Sequence, residues 1–125
     1  MPTTKDLAAI LVTHTWMFPV LSCRVYDADT LMDLDVDFGV TITITGRLYG
    51  INAPEVRGKG RELGKASRDW LKAKMDRSRS VSIETQPSDE RQTGKYGRWL
   101  ITVWADGTNL NDLMVTKGFA KRVDY

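Results

Sequence analysis

Two adjoining stretches of regular alternation between apolar and polar residues constrain the fold more than any other feature of this sequence. They run from Leu31 to Phe38 and from Val40 to Leu48, with Gly39 between them. A strand places successive side chains on opposite faces, so this period predicts two half-buried strands joined by a hairpin or a bulge. Their predicted core faces are Met32, Leu34, Val36 and Phe38 on the first strand, and Val40, Ile42 and Ile44 on the second.

Three further β-rich runs predict three more strands. They are Phe18 to Tyr26, Val81 to Glu84 and Arg98 to Trp104, the last closed by an Asp-Gly turn at residues 106 and 107. Gly46 lies within the second alternating stretch and Gly50 just after it, which indicates the sharp coiling that a small closed barrel requires.

Two helices complete the prediction. The first runs from Arg61 to Met75, and its predicted core face has helical spacing at Leu63, Ala66, Trp70 and Ala73. The second begins at an N-cap, Asn111, and ends at Gly118. The predicted fold is therefore α+β and mainly β, a five-stranded Greek-key barrel with a helix after the third strand and a short C-terminal helix.

Length and composition indicate one soluble domain. The chain has 125 residues, of which 42% are hydrophobic and 27% charged, as is ordinary for a globular protein. We predict a poorly ordered arm at residues 1–16 and a single domain at residues 17–125. A single cysteine, Cys23, excludes an internal disulfide.

The sequence predicts no membrane partner, because no apolar run approaches the ~20 residues of a membrane span. The apolar run Leu7 to Val12 loosely resembles an export signal but is too short, and Asp6 stands at its leading edge. The compartment therefore stays open, with a cytoplasmic location slightly favoured. We also expect the protein to be a monomer.

Charge is unevenly distributed although the net charge is only +2. Residues 57–79 hold nine cations against three acids, whereas residues 27–37 hold five aspartates and no base. This pattern suits a polyanion held near a metal cation, and it also suits two solvated faces.

Several common catalytic motifs are absent. Gly58 to Lys65 resembles a phosphate loop, but its glycine spacing is one residue too long and Ala66 replaces the required hydroxyl. There is no HExxH, CxxC or GxSxG pattern. Zinc hydrolysis, thiol redox chemistry and serine-hydrolase chemistry therefore have no support.

What remains is chemistry by acids and arginines. Hydrolysis of a phosphodiester needs an oriented water, a base beside it and positive charge where negative charge develops. Glu55 could be the base, Arg47 and Arg98 the positive charge, and Asp29 a hard ligand for a divalent cation.

The order of five motifs resembles the staphylococcal nuclease (thermonuclease) family over Phe18 to Lys121. The motifs are Tyr26-Asp-Ala-Asp-Thr30, Arg47-x-x-Gly-Ile-Asn-Ala-Pro-Glu55, Lys95-Tyr-Gly-Arg98, Ala105-Asp-Gly-Thr-Asn-Leu-Asn111 and Gly118-Phe-Ala-Lys121. The resemblance implies an OB-fold barrel and calcium-dependent cleavage of DNA and RNA, with single strands preferred.

The resemblance also implies a role for each matching residue. Arg47, Glu55 and Arg98 match the catalytic residues. The metal ligands would be Asp29, Asn52 and Ala53, the last through its backbone carbonyl. Tyr96 matches the tyrosine beside the nucleotide phosphate, and Lys95 the adjacent basic position.

Two departures from the family pattern bear on the site. Asn52 stands where the family has a second aspartate, and the lost charge costs at most about 4 kcal/mol at an effective dielectric near 20. We therefore expect weaker metal binding rather than none. Ala28 replaces a glycine between the two aspartates, which would strain a turn that needs a positive φ.

Other interpretations remain open at this point. Arg47 and Arg98 could be structural partners of the acidic cluster, and Glu55 could cap the helix that begins at Arg61. The whole chain could be a catalytically weak or inactive OB-fold module that binds nucleic acid or a protein. The choice among calcium, magnesium and manganese, and between DNA and RNA, is likewise not fixed by the sequence.

Overall fold

Five strands form a closed barrel in the computed structural model, which describes residues 16–86 and 98–124. The barrel strands are β1 (Trp16–Asp27), β2 (Thr30–Asp37), β3 (Thr41–Leu48), β5 (Val81–Thr85) and β6 (Trp99–Ala105). Three two-residue strands accompany them, β4 (Ile51–Asn52), β7 (Thr108–Asn109) and β8 (Lys121–Arg122). Two helices, α1 (Arg61–Arg77) and α2 (Leu110–Thr116), pack outside the barrel.

The barrel closes through one parallel pairing. Strands β1, β2 and β3 form an antiparallel meander, and β5 is antiparallel to both β1 and β6. Strand β6 then pairs in parallel with the end of β3, where Gly46 lies opposite Trp99. This arrangement confirms the predicted mainly β barrel of the OB type, with α1 after the third strand and α2 near the C-terminal end.

Gly46 permits this closure. A Cβ atom at this position would lie 2.5 Å from Cδ1 of Ile101, a core residue of β6. The absence of a side chain lets the two strands approach each other, in agreement with the coiling that the glycine predicted.

The core fills the barrel and the space beneath the two helices. Its largest fully buried side chains come from every barrel strand except β1 and from both helices. They include Leu31, Leu34, Leu48, Ile83, Ile101, Leu71, Leu110 and Met114.

The predicted alternation fails in β2 because the strand contains a bulge. Register with β3 shifts between Leu31 and Leu34, and Asp33 has φ 48°. Both leucines are therefore buried although they are three residues apart, and Met32 is only partly buried. The prediction of a continuous core face from Met32 to Phe38 was wrong, and Phe38 is 50% exposed.

Val40 and the first half of β3 lie outside the closed part of the barrel. Val40 is 66% exposed and Ile42 39% exposed, although both were predicted to face the core. The reason is topological, because β3 pairs with β6 only at residues 46–48 and has β2 as its neighbour before that point.

The core-facing side of α1 differs from the predicted one. Its buried residues are Gly64, Ser67, Leu71 and Met75, while Leu63 is 47% exposed. A Cβ atom on Gly64 would overlap the carbonyl oxygen of Glu55, so the helix packs through this glycine against the loop after β4. This tertiary contact rotates the helix by about one residue relative to the predicted face.

The second helix begins two residues earlier than predicted. Its N-cap is Asn109, whose side chain accepts the Asp112 N–H. Asn111 is instead buried, and its amide accepts the Val103 N–H and donates to the carbonyls of Tyr49 and Ile101. Gly118, with φ 81°, follows the helix as predicted.

In the described part of the chain, neither helix is long and apolar enough to cross a membrane. The predicted arm, except for Trp16, and residues 87–97 lie outside the described residues.

Gly64→Ala provides a test of the contact between α1 and the loop that carries Glu55. Alanine normally stabilises a helix interior by about 1 kcal/mol relative to glycine. Here the overlap with Glu55 forces the loop or the helix to move, and we expect a net loss of about 1–3 kcal/mol. Urea unfolding measures this change. The neighbouring exposed substitution Lys65→Ala serves as the control, and a gain in stability for Gly64→Ala would contradict the contact.

Candidate active site

The carboxylate of Asp29 is the centre of the candidate site. The residue is 8% exposed and lies between β1 and β2. The Thr30 hydroxyl donates to its Oδ1 at 3.1 Å, and the Ala53 N–H donates to its Oδ2 at 2.8 Å. Nη2 of Arg47 lies 3.5 Å from the same Oδ2. A carboxylate that is so withdrawn from water needs hydrogen-bonding partners of this kind.

Arg47 is held by backbone and side-chain acceptors. Its Nη1 donates to the carbonyl of Leu48 at 2.9 Å and to that of Asp29 at 3.4 Å. Its Nη2 donates to Oδ1 of Asn52. Among the described residues, Nε has no acceptor. The guanidinium is thus fixed in place while one of its N–H groups stays available to a ligand.

The structure brings four of the predicted site residues into contact. Asp29 and Ala53 share a hydrogen bond, and Arg47 contacts both Asp29 and Asn52. These residues come from the β1–β2 turn, the end of β3 and the short β4 with the residue that follows it. No turn strain arises at Ala28, since only Asp33 and Asp106 have a positive φ among the described non-glycine residues.

Glu55 lies beside this cluster in an exposed loop. It lines a cavity of about 150 Å³ with Tyr26, Asp27, Val56 and Arg57. It does not cap α1, because the N-cap is Gly60 and no side chain of residues 16–86 or 98–124 makes a capping hydrogen bond at that helix end. The alternative interpretation of Glu55 as a helix cap was therefore wrong.

Asp27 is a site residue for which the sequence analysis predicted no role. Its Oδ1 accepts the Val56 N–H at 3.2 Å and so ties the loop after Glu55 to the end of β1. Burial raises the pKa of Asp27, and the nearby carboxylates of Asp29 and Glu55 raise it further, against the Val56 N–H and Arg68. Its place two residues before Asp29 was the available sequence signal.

Arg98 is half-buried and directly precedes β6. Arg47 pairs with Leu100 where β3 meets β6, and Arg98 lies two residues before Leu100. The pairing therefore brings the backbone of Arg98 to the seam between the two strands that also contains Arg47. Lys95 and Tyr96 lie outside the described residues.

The donors of this cluster match a hard divalent cation in type. Oδ2 of Asp29 and Oδ1 of Asn52 both lie near one atom, Nη2 of Arg47, and calcium and magnesium prefer such oxygens. Only the first of the two carries a charge. Within the described residues, no group of three or more histidine, cysteine or acidic residues is arranged to hold a metal. The two oxygens thus suit a hard cation in chemical type, and both of them already contact Arg47.

A comparison with protein-family models identifies the class of the protein. The model described as staphylococcal nuclease homologue matches residues 45–125, which is 81 of the 125 residues. The chain therefore belongs to the staphylococcal nuclease homologue family, a nuclease-like family whose domains act on nucleic acids. No curated protein matches the chain.

Substitution of Asp27 tests the local electrostatics of the site. Because its pKa in the folded protein is raised, the unfolded chain releases this proton first as the pH rises past the ordinary value of about 3.9. The native state is therefore penalised at neutral pH, and the penalty disappears below that value. Asp27→Asn keeps an acceptor for Val56, so we expect a higher urea midpoint than wild type at neutral pH and little difference in acid.

The matched control is Asp124→Asn, which removes an exposed carboxylate near the end of the described chain. We expect no change of the urea midpoint for this control at either pH. A midpoint for Asp27→Asn below that of wild type at neutral pH would contradict the assignment.

Proposed function

We propose that the protein is a metal-dependent nuclease that hydrolyses phosphodiester bonds of DNA or RNA. The observation that carries the proposal is the fixed Arg47 guanidinium, bound to Asp29 and Asn52 in the turn region that leads to Glu55. Family membership supports a nucleic acid as the substrate class. Calcium is the cation that we expect, with another hard divalent ion as the alternative.

In this proposal the described side chains divide the work. Glu55, exposed beside the cavity, orients and deprotonates the attacking water. Arg47 and Arg98 stabilise the charge that develops on the phosphate oxygens. Arg47 suits this role because its anchoring bonds prevent reorganisation during the reaction and its Nε–H is available. Lys95 and Tyr96 are proposed to contact the substrate phosphate.

The metal would be held by the Asp29 carboxylate, the Asn52 amide oxygen and the Ala53 carbonyl. When bound, it supplies positive charge that polarises the phosphate and lowers the pKa of a bound water. Arg47 and a cation seek the same two oxygens, so metal binding requires the Nη2 contacts to be exchanged.

The same observation favours a second candidate, a noncatalytic module that binds single strands or a protein. Arg47 already neutralises Asp29, and Asn52 adds no charge. The charges of this cluster therefore balance without a metal. Such a module would bind oligonucleotides equally well in chelator and would release no acid-soluble fragments at any calcium concentration.

The activity test uses denatured DNA with calcium and with chelator. We expect calcium-dependent release of acid-soluble fragments, and Arg47→Ala, Glu55→Gln and Arg98→Ala should each lower the rate by about 10²–10³. Asp124→Asn and Lys117→Ala change exposed side chains elsewhere and serve as controls. Near-normal rates in all three site variants would show that the proposed roles are wrong.

The metal site has a test that does not depend on activity. Asn52→Asp adds a negative charge next to Asp29, and we expect calcium to bind at least about tenfold more tightly. Isothermal titration calorimetry with calcium measures this affinity. Asn109→Asp makes the same change of charge at the N-cap of α2, where aspartate is also a good cap, and is the control. Equal calcium affinities for wild type and both variants would exclude residue 52 as a ligand.

A further inference from the structure

The cations of α1 form a single row on the helix surface. Arg61, Lys65, Arg68 and Lys72 are spaced by four, three and four residues. At about 100° per residue this spacing keeps them within one narrow strip along the helix. The strip lies beside the buried face formed by Gly64, Ser67, Leu71 and Met75. We call these four residues the cation row.

The acids of α1 form a second row next to the first. Glu62, Asp69 and Asp76 are spaced by seven residues, which places them together on the outer side of the cation row. Each lies near one cation, with Arg61 3.7 Å from Glu62, Arg68 3.1 Å from Asp69 and Lys72 3.0 Å from Asp76. Lys65 has no carboxylate neighbour in the part of the chain that the structure describes.

The cation row lies on the flank of α1 that faces β1. On the opposite flank, Ser67 donates to the Phe119 carbonyl and Trp70 packs on the Phe119 ring. Beyond the cation row, Asp76 lines one cavity with Ser22 and Cys23 of β1.

The row also begins at the candidate active site. The first turns of α1 pack on the Pro54–Glu55 backbone through Gly64. Arg57, just before the row, lines the cavity that contains Glu55.

We propose that the cation row is a track for the phosphates of single-stranded nucleic acid, leading away from the candidate active site along α1. This proposal rests on the proposed nuclease function for one point, the position at which the bound strand is cleaved. From Arg61 to Lys72 the row rises about 17 Å, several times the ~3.4 Å axial spacing of phosphates along one stacked strand. More than one phosphate of the same strand therefore fits along it.

The second row, formed by Glu62, Asp69 and Asp76, favours a single strand over a duplex. Carboxylates run along the outer side of the cations, so the positive strip is one residue wide. A duplex carries two rows of phosphates, and its second row would approach Glu62, Asp69 and Asp76 with like charge. One flexible strand avoids this repulsion.

The existing ion pairs do not prevent phosphate binding. The paired Lys72 and Asp76 side chains are 63% and 65% exposed, and the Arg61 pair is similarly open. Exposed pairs of this kind are worth about 0–1 kcal/mol. A phosphate backbone that releases counterions can exchange with them, and the carboxylates keep the cations extended until it binds.

The test compares two double variants with the same change of charge. Lys65→Gln with Lys72→Gln alters the cation row, whereas Lys74→Gln with Arg77→Gln removes two exposed cations from other sides of the same helix. The ligands are fluorescein-labelled oligothymidylates of about 12 and about 3 nucleotides, because OB-fold sites span ~4–16 nucleotides. Fluorescence anisotropy is measured in chelator over a series of KCl concentrations, so that no cleavage is required.

We expect the row variant to bind the long oligonucleotide about tenfold more weakly. Its slope of log affinity against log salt should fall by about 1.4, the value for two lost contacts at ~0.7 each on a single strand. Its affinity for the short oligonucleotide and the affinities of the control variant should match wild type.

Three results would overturn the track. They are equal losses in both double variants, an equal loss on the short and long oligonucleotides, and a preference of wild type for duplex over single strand. Binding that follows the expected pattern in a protein without nuclease activity would support the track and reject the catalytic proposal, so the two failures are distinguishable.

Discussion

A carboxylate that is almost removed from water has to be paired, and the pairing of Asp29 determines how the candidate site is built. Its side chain takes the Thr30 hydroxyl, the Ala53 N–H and the Arg47 guanidinium. Its backbone carbonyl also accepts the Leu48 N–H at 2.8 Å. Removal of Arg47 would leave this carboxylate without its counter-charge, which costs several kcal/mol. The β1–β2 turn, the end of β3 and β4 are thus held in one arrangement by a single acid.

A close backbone contact connects this cluster to the rest of the surface. Gly64 lets α1 pack directly on the carbonyl of Glu55, so the position of the helix and that of the proposed base depend on each other. Because Ser67 and Trp70 turn one flank toward Phe119, the cation row must occupy the other flank, beside β1 and Asp27. The same packing that places Glu55 therefore sets the direction of the cation row.

The sequence predicts the barrel well because alternation and turn residues are local signals. Such signals predict the β2–β3 pair, the turn at Asp106 and Gly107, and the coiling at Gly46. The errors arise where distant contacts decide. The bulge at Asp33 shifts the buried face of β2, and the approach of Gly64 to Glu55 rotates α1. The periodicity of one segment gives no information about either effect, because each depends on residues of another segment.

The candidate site shows the same division. The motif order predicts that Asp29, Arg47, Asn52 and Ala53 belong to one site, because the resemblance carries their spacing. The resemblance does not determine what Arg47 binds. The sequence therefore leaves open the alternative that Arg47 is a structural partner of the acidic cluster. That choice depends on the rotamer of one side chain and on acceptors from three segments. The role of Asp27 was missed for the same reason, since its partner is a backbone N–H 29 residues away.

The charge balance at Asp29 links the two candidate functions. With aspartate at residue 52, the pair of carboxylates would leave a net negative charge after pairing with one arginine, and a divalent cation would be favoured. With asparagine, Arg47 alone neutralises Asp29, so a cation has to displace part of a bond that already exists. Arg47 keeps its two backbone acceptors in either state. Under the proposed function, the arginine can therefore turn its remaining donors to a phosphate without leaving its place, and the strength of metal binding would determine whether a bound strand is cut or only held.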